Sequence, residues 1–348
     1  MLYLAFADMR FEAQAREEVE ASFHEAKIRM YQGEQGVLML LIESGGKLDP
    51  AHFSFVDSVV KVEMVIDRVK DDFEKITGGA ASVLAMHSGT TFRIEARKVD
   101  ASMEGRARDI EVKVGSALEK RGFVVDLKSP GMSLYLVFRG ERLYVGSSED
   151  NDVLDHFRQE GRAPQETVNR SEFKLREAVE FFHIDLSKIE SCLDVGAAPG
   201  GWSHYLAGEG VKVVALDGAQ MDYHKFEGKR LVVVEDVGTF DASASYNILH
   251  IRMHLNEDSM RLIERLGRFG MLAIDVNLSP AESAGIANLL AGRLETGAPL
   301  VMTLKMVDNG FRKNIDSATR ALSDSYDVVG VKKLPHNRRE LTLFAKRK

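Results

Sequence analysis

The chain has 348 residues, a formal net charge of −7, 45% hydrophobic and 28% charged side chains, and a single cysteine, Cys192. A length of this order calls for two or three folded units, and no run approaches the ~20 apolar residues of a membrane span. One cysteine excludes a disulfide framework and a multi-cysteine zinc site, and makes a reducing cytoplasm the expected compartment.

The start, MLYLAFADMRF, has a short apolar run without a basic flank or a cleavage-like site, so a strand is expected there rather than a signal peptide. Next, RFEAQAREEVEASFHEA sets Phe11, Ala15, Val19 and Phe23 on one helical stripe. KIRMY, the turn GEQG, VLMLLIES, a short helical piece near 49–57 and VVKVEMVI complete a β-α-β-β-α-β series over residues 1–75, the ferredoxin-like order. Residues 76–147 read as a strand (FRIEARKV), a helix stopped by Gly122, and three strands, FVVDLKSP, SLYLVFRG and ERLYVG. The polar stretch 148–168 lacks periodicity and is expected to be a linker.

From residue 169 the pattern becomes regular α/β. SCLDVG, VKVVALD, KRLVVVED, GMLAIDV and PLVMTLKM are near-continuous apolar strands separated by helical segments, which predicts a parallel sheet covered on both faces. VVGVKKL and ELTLFAKR, joined by PHNRR, close the chain as a hairpin. Charge is unevenly spread: residues 1–75 carry 9 basic and 15 acidic side chains, 76–146 carry 11 and 8, and 332–348 carry seven basic residues against Glu340. A basic second unit and a basic tail permit RNA contacts in a chain that is acidic overall.

The strongest local signal is LDVGAAPGGWSHYL, a strand entering a glycine-rich turn that opens a helix. Asp194, Gly196, Ala197, Ala198, Pro199, Gly200, Gly201 and Trp202 are candidate cofactor contacts, because glycines admit a ligand close to the backbone and a helix N-terminus offers unpaired N–H groups. Asp217 ends the next strand, where a carboxylate accepts from a ribose diol, and Asp236 ends the third, where an adenine contact is expected. Gly196, Ala198 and Gly201 also fit the nicotinamide-type spacing, but Pro199 stiffens the turn and the closing hairpin suits an S-adenosylmethionine methyltransferase sheet. No P-loop is present.

AAPGGW, with R-S-x-x-K-L-x-E-A before it and strand-end Asp, Lys and Glu residues after it, resembles the FtsJ/RrmJ family of RNA ribose 2′-O-methyltransferases over residues 169–348. The resemblance implies a class I, Rossmann-like α/β domain with an antiparallel last strand, S-adenosylmethionine as cofactor, and a Lys-Asp-Lys-Glu catalytic tetrad. Matched motif by motif, that tetrad falls on Lys174, Asp275, Lys305 and Glu340, with Asp275 also beside the cofactor. A ribose hydroxyl needs a proton acceptor and strict alignment. Lys305 is assigned as the acceptor, with Asp275 and Lys174 orienting it and the hydroxyl, and Glu340 holding Lys174 or the ribose; the two lysines can exchange roles. A second ammonium ~6 Å away would depress a lysine by about two pKa units, with both carboxylates opposing that shift.

DVNLSPAE departs from the family's D-M-A-P-N type, which leaves the loop around the substrate ribose open. The stretch FDASASYNILHIRMHLNEDS is also unlike the family: His250, Arg252 and His254 either touch RNA or belong to a half-buried strand with polar partners. FRIEARKVD, DIEVKVGSAL and VDLKSPGMSLYLVFRGERLYVG resemble a THUMP domain, which implies an α+β RNA-binding unit. Arg93, Arg97, Lys98, Lys113 and Lys128 are then phosphate candidates, with Arg338 and Arg339 in the tail. Together the resemblances imply a methyltransferase acting on structured RNA, tRNA first and 23S-type ribosomal RNA next. A cytosine-C5 enzyme lacks its cysteine, because Cys192 sits at the first strand of this domain and not near the fourth, and a zinc deaminase lacks H-x-E and P-C-x-x-C. A guanine N2-methyltransferase, for which NLSP is a faint echo of its motif, and a non-catalytic RNA-binding factor with a relic cofactor pocket remain as alternatives.

Overall fold

LYLAFAD and VLMLLIE are buried along almost their whole length and are adjacent inner strands of the first of two sheets. The computed structural model describes residues 1–22, 26–33, 37–46, 53–69, 72–100, 105–127, 130–148, 169, 171–241, 244–306, 310–337 and 339–348. It divides into two units, Met1–Leu154 and Asp155–Lys348.

The first unit runs β1 (Leu2–Asp8), α1 (Glu12–Ser22), β2 (Lys27–Gln32), β3 (Val37–Glu43), β4 (Val56–Ile66), α2 (Phe73–Met86), β5 (Phe92–Lys98), α3 (Ala107–Glu119), β6 (Met132–Arg139) and β7 (Arg142–Ser148). Its seven strands lie in the order β2-β3-β1-β4-β7-β6-β5. Every pairing is antiparallel except β5 with β6, which α3 connects as a crossover. Because β4 pairs with β7, the strands of the two N-terminal segments share one sheet.

Three local expectations change. Among its described residues FVVDLKSP supplies one isolated bridge, Val125 with Phe92, rather than a strand. Residues 53–55 are not helical and β4 begins at Val56, while 47–52, Phe23 and the linker segment 149–168 lie outside the described residues. Helix α2 has no clear sequence signal because Gly78 and Gly79 weaken its propensity. It forms because Asp72 caps it and because a side chain at Gly79 would collide with Ile66 Cδ1 at 2.3 Å, so the glycine admits a close approach to β4.

The second unit contains α4 (Ser171–Phe181), β8 (Ser191–Val195), α5 (Gly201–Gly208), β9 (Lys212–Leu216), β10 (Leu231–Val234), β11 (Ile248–Ile251), α6 (Glu257–Arg265) and β12 (Met271–Ile274). It ends with α7 (Pro280–Leu290), β13 (Pro299–Lys305), α8 (Phe311–Leu322), β14 (Tyr326–Lys332) and β15 (Glu340–Arg347). The sheet order is β10-β11-β9-β8-β12-β13-β15-β14. All neighbours are parallel except β15, which runs antiparallel to both β13 and β14. Leu175, Trp202, Leu206, Val213, Ala273 and Phe344 belong to one buried cluster that seats α4 and α5 on the sheet.

Strand β11 corrects the expected order. ILHI, for which a half-buried strand is one of two expectations, is a strand; it takes the place beside β9 and displaces β10 to the edge. Asp236, two residues beyond β10, is therefore one strand further from the glycine turn than expected. It is exposed and caps the 3-10 turn Val237–Thr239 by accepting from Gly238 N.

Candidate active site

The carboxyl ends of β8, β9, β12 and β13 share one edge of the sheet, and the antiparallel β15 starts at that same edge. Lys305, the last residue of β13, is the register partner of Glu340, the first residue of β15. Asp275 follows β12, whose neighbours are β8 and β13. Lys174 comes from α4, which packs beside α5 and β15.

These four side chains form a closed ring of alternating charge. Lys174 Nζ lies 3.2 Å from Asp275 Oδ2 and 2.6 Å from Glu340 Oε1. Lys305 Nζ lies 2.7 Å from Asp275 Oδ1 and 2.5 Å from Glu340 Oε2. Each carboxylate thus bridges both ammoniums, and two positive charges are balanced by two negative ones. Thr303, two residues before Lys305 and on the same face of β13, donates to Asp275 Oδ1 at 2.8 Å.

The electrostatics differ from a simple lysine–lysine repulsion. Burial works against the charged Lys305 amine, but Asp275 and Glu340 outweigh it and its pKa is raised. Burial likewise pushes Asp275 up, but Lys174 and Lys305 outweigh it and hold its carboxyl below the usual range. The expected downward shift of the lysine is thus overturned for Lys305, because each amine has two carboxylate oxygens in contact.

The glycine turn sits beside this ring. Gly196 has φ +79°, and a Cβ there would lie 2.6 Å from Asp275 O. Gly200 has φ +116° and is covered by Phe226 and Met221. Gly201 leaves room for Asn169 and Ser171 at the start of α4, since a Cβ would meet Asn169 Oδ1 at 2.3 Å. Trp202 is buried and its indole N–H donates to Ser171 O at 2.7 Å, so it joins α5 to α4 instead of facing a ligand. Ala197 is buried, Ala198 half-buried and Pro199 exposed.

Asp217 Oδ2 accepts from Ala198 N at 3.0 Å and Oδ1 from Ala219 N at 2.8 Å, so the strand-end carboxylate shapes the turn and keeps further lone pairs for a diol. His250 on β11 steadies it from behind. Its Nε2 lies 3.2 Å from Asp217 O and its Nδ1 2.8 Å from Tyr223 O–H. His250 is fully buried and burial lowers its pKa, so it does not touch RNA; its half-buried-strand reading is the one realised. Arg252 pairs with Glu235 at 2.6 Å, and the exposed His254 rests against Gly218.

Asp194 is wholly buried on β8. Ser203 Oγ donates to its Oδ2 at 2.7 Å, while Oδ1 has no hydrogen-bond partner among the described residues. Burial, together with Asp275 and Asp217, raises its pKa to about 7. An unsatisfied carboxylate oxygen, a turn that tolerates no Cβ, a helix N-terminus without a side-chain cap and a strand-end Asp suit a ligand with an amine, a carboxylate and a ribose. The donor set fits S-adenosylmethionine.

The RNA candidates fare unequally. Arg93 is buried, donates to Ser133 Oγ at 3.0 Å and pairs with Glu95 at 3.3 Å, which removes it as a surface phosphate contact. Arg97 stacks over Phe6 at 4.3 Å, and Lys98 donates to Gly105 O at 3.1 Å. Lys113 and Arg339 are exposed, while Lys128 and Arg338 lie outside the described residues. Sequence reading gave Thr303 no role, although it was findable from its i, i+2 relation to Lys305, whereas His250, weighed there as an RNA contact or part of a half-buried strand, supports Asp217 from a buried strand.

Among curated proteins, the chain is 25% identical to ribosomal RNA large subunit methyltransferase M of Mannheimia succiniciproducens, over 75% of this chain and 72% of that one. It is 32% identical to the protein of the same name from Histophilus somni, over 33% of this chain and only 34% of that relative. An uncharacterized Methanocaldococcus jannaschii protein is 27% identical over 52% of this chain and 47% of its own length. Among solved structures, TrmN from Thermus thermophilus aligns over 100% of both chains at 16% identity, but its TM-score of 0.37 is too low to bear on the assignment. The family profile described as FtsJ-like methyltransferase matches residues 167–340, half of the sequence, and spans the glycine turn and all four members of the charged ring. The chain therefore belongs to the FtsJ-like methyltransferase family, whose cofactor is S-adenosylmethionine.

Proposed function

We propose that the protein is an RNA ribose 2′-O-methyltransferase acting in the cytoplasm, with Lys174, Asp275, Lys305 and Glu340 as its catalytic residues. The observation that carries this reading is the closed ring of two ammoniums and two carboxylates beside the glycine turn. The cofactor supplies a methyl group on a positively charged sulfur, an electrophile that needs no further activation. Asp194, Asp217 and the backbone of 196–201 hold it.

A ribose hydroxyl is neutral and must be oriented and relieved of its proton. Lys305 Nζ accepts that proton once it has lost its own, a loss that burial favours and Asp275 and Glu340 oppose. Asp275 holds Lys305 and Lys174 at fixed separation, and Glu340 closes the ring from the opposite side. Methylation of an exocyclic guanine amine is less well served, because both carboxylates that could receive its N–H groups are already engaged by lysines.

RNA as substrate draws support from the family and from the names of the relatives, which also make large-subunit ribosomal RNA the first candidate ahead of tRNA. The N-terminal unit is proposed to be a ferredoxin-like plus THUMP-type RNA-binding region. Its β2-β3-β1-β4 order and its parallel β5–β6 crossover support that reading, with Lys113 among the phosphate contacts.

The test is transfer of labelled methyl from S-adenosylmethionine into bulk RNA from cells lacking the gene, followed by nucleoside analysis. The expected product is a 2′-O-methylnucleoside, made by the wild type and lost in Lys305→Ala. Labelled N2-methylguanosine would establish the alternative enzyme class. No transfer, with S-adenosylmethionine still bound, would indicate an RNA-binding factor.

A further inference from the structure

The motif R-S-x-x-K-L-x-E-A carries Glu177 as its penultimate residue, and PHNRR immediately precedes Glu340; the reaction as proposed uses neither Glu177 nor His336. Glu177 lies three residues after Lys174 on α4, so both project from neighbouring positions of the helix surface. It is only 6% exposed, an expensive place for an acid without partners.

Its partners come from one residue 159 positions away. Glu177 Oε2 accepts from His336 backbone N at 3.0 Å, and Oε1 lies 2.5 Å from His336 Nδ1. The imidazole stacks on Phe173, with centroids 4.8 Å apart and planes inclined by 22°. The turn that carries His336 is itself braced: Asn337 Nδ2 donates to Thr342 Oγ1 at 3.0 Å, and Lys333 Nζ donates to Asn337 O.

The two sides joined by this clamp are those that must meet in the ring. Lys174 rides on α4 and Glu340 starts β15 four residues after His336, and their charged ends lie 2.6 Å apart. We infer that Glu177 is a positioning residue: by gripping the backbone and ring of His336, it sets the β14–β15 turn against α4 so that Glu340 reaches Lys174. Displacements of about 1 Å in such an arrangement cost up to ~100-fold in rate, so a buried two-point clamp at this place controls catalysis through Glu340.

This inference deepens the proposed methyl transfer and rests on it, but one of its tests does not need the reaction. Glu177→Ala is expected to lengthen the Lys174–Glu340 contact in a crystal structure of the full chain. It is also expected to lower methyl incorporation into bulk RNA by about tenfold or more at saturating cofactor, with the dissociation constant for S-adenosylmethionine within about twofold of wild type. Glu177→Gln keeps an acceptor for His336 N and should recover most of the rate. If Glu177→Ala does not fold, His336→Ala removes the same clamp from the turn side and carries the same expectations. An unchanged Lys174–Glu340 distance, a wild-type rate, or a loss confined to cofactor affinity overturns the inference. A wild-type protein that methylates no RNA sinks the proposed function instead, while the distance still decides the clamp.

Discussion

Lys305 and Glu340 are cross-strand partners, 35 residues apart in sequence and joined at 2.5 Å where β13 ends and β15 begins. The antiparallel insertion of β15 is what makes this possible. A strand running parallel to β13 would bring its first residue to the opposite edge of the sheet.

The same contact dictates a pH dependence. Asp275 and Glu340 outweigh burial and raise the Lys305 pKa above its ordinary 10.5, so the amine is charged at neutral pH. If Lys305 must be neutral to accept a proton, the competent fraction grows about tenfold per pH unit below that pKa. Methyl transfer should therefore climb steadily between about pH 7 and 9 without reaching a plateau. Glu340→Gln removes one supporting negative charge, so its lower overall rate should show a limb displaced toward lower pH. A wild-type plateau already present at neutral pH would contradict the role given to Lys305.

Gly196→Ala tests the cofactor turn. The substitution places a methyl group in a backbone conformation at φ +79° and 2.6 Å from Asp275 O. Strain of about 1–3 kcal/mol is expected, and relief of the clash moves the Asp275 backbone. Thermal melting should show the lost stability, and calorimetric titration with S-adenosylmethionine should show weakened binding. Gly208→Ala, in α5 where a Cβ meets nothing within 4 Å, is the control: it should leave cofactor binding unchanged and raise stability by up to about 1 kcal/mol.

Asp194 makes a separate prediction about stability. Its folded pKa is raised from 3.8 to about 7, first by burial and then by Asp275 and Asp217. Below about pH 4 the group is protonated in both folded and unfolded chains and contributes no difference. Between about pH 4 and 7 only the unfolded chain releases its proton, so stability falls as pH rises and levels off above the folded pKa. Asp194→Asn should abolish that part of the slope, a difference on the order of a few kcal/mol between the two ends of the window. Denaturant titrations of both proteins without cofactor check this; parallel curves would refute it.

The local sequence carried the chemistry of the site and most of its elements. LDVGAAPGGW announces a strand, a tight turn and a helix because glycine and proline act on their own backbone, and the apolar runs from SCLDVG to PLVMTLKM declare buried parallel strands by their continuity. Such signals need no distant partner. What the sequence leaves open is everything decided by which strand lies beside which. ILHI is too short to announce itself, yet pairing with β9 and β10 makes it a strand, buries His250 behind Asp217 and moves Asp236 outward. Gly78 and Gly79 argue against a helix until close packing on β4 favours one. Arg93 looks like a phosphate contact until Glu95 and Ser133 enclose it. The residue types of the ring were written in four separate segments, but its charge state was not. Only the tertiary fold sets two carboxylates against both amines at once, and Coulomb energy at contact distance then outweighs the burial that would have discharged Lys305.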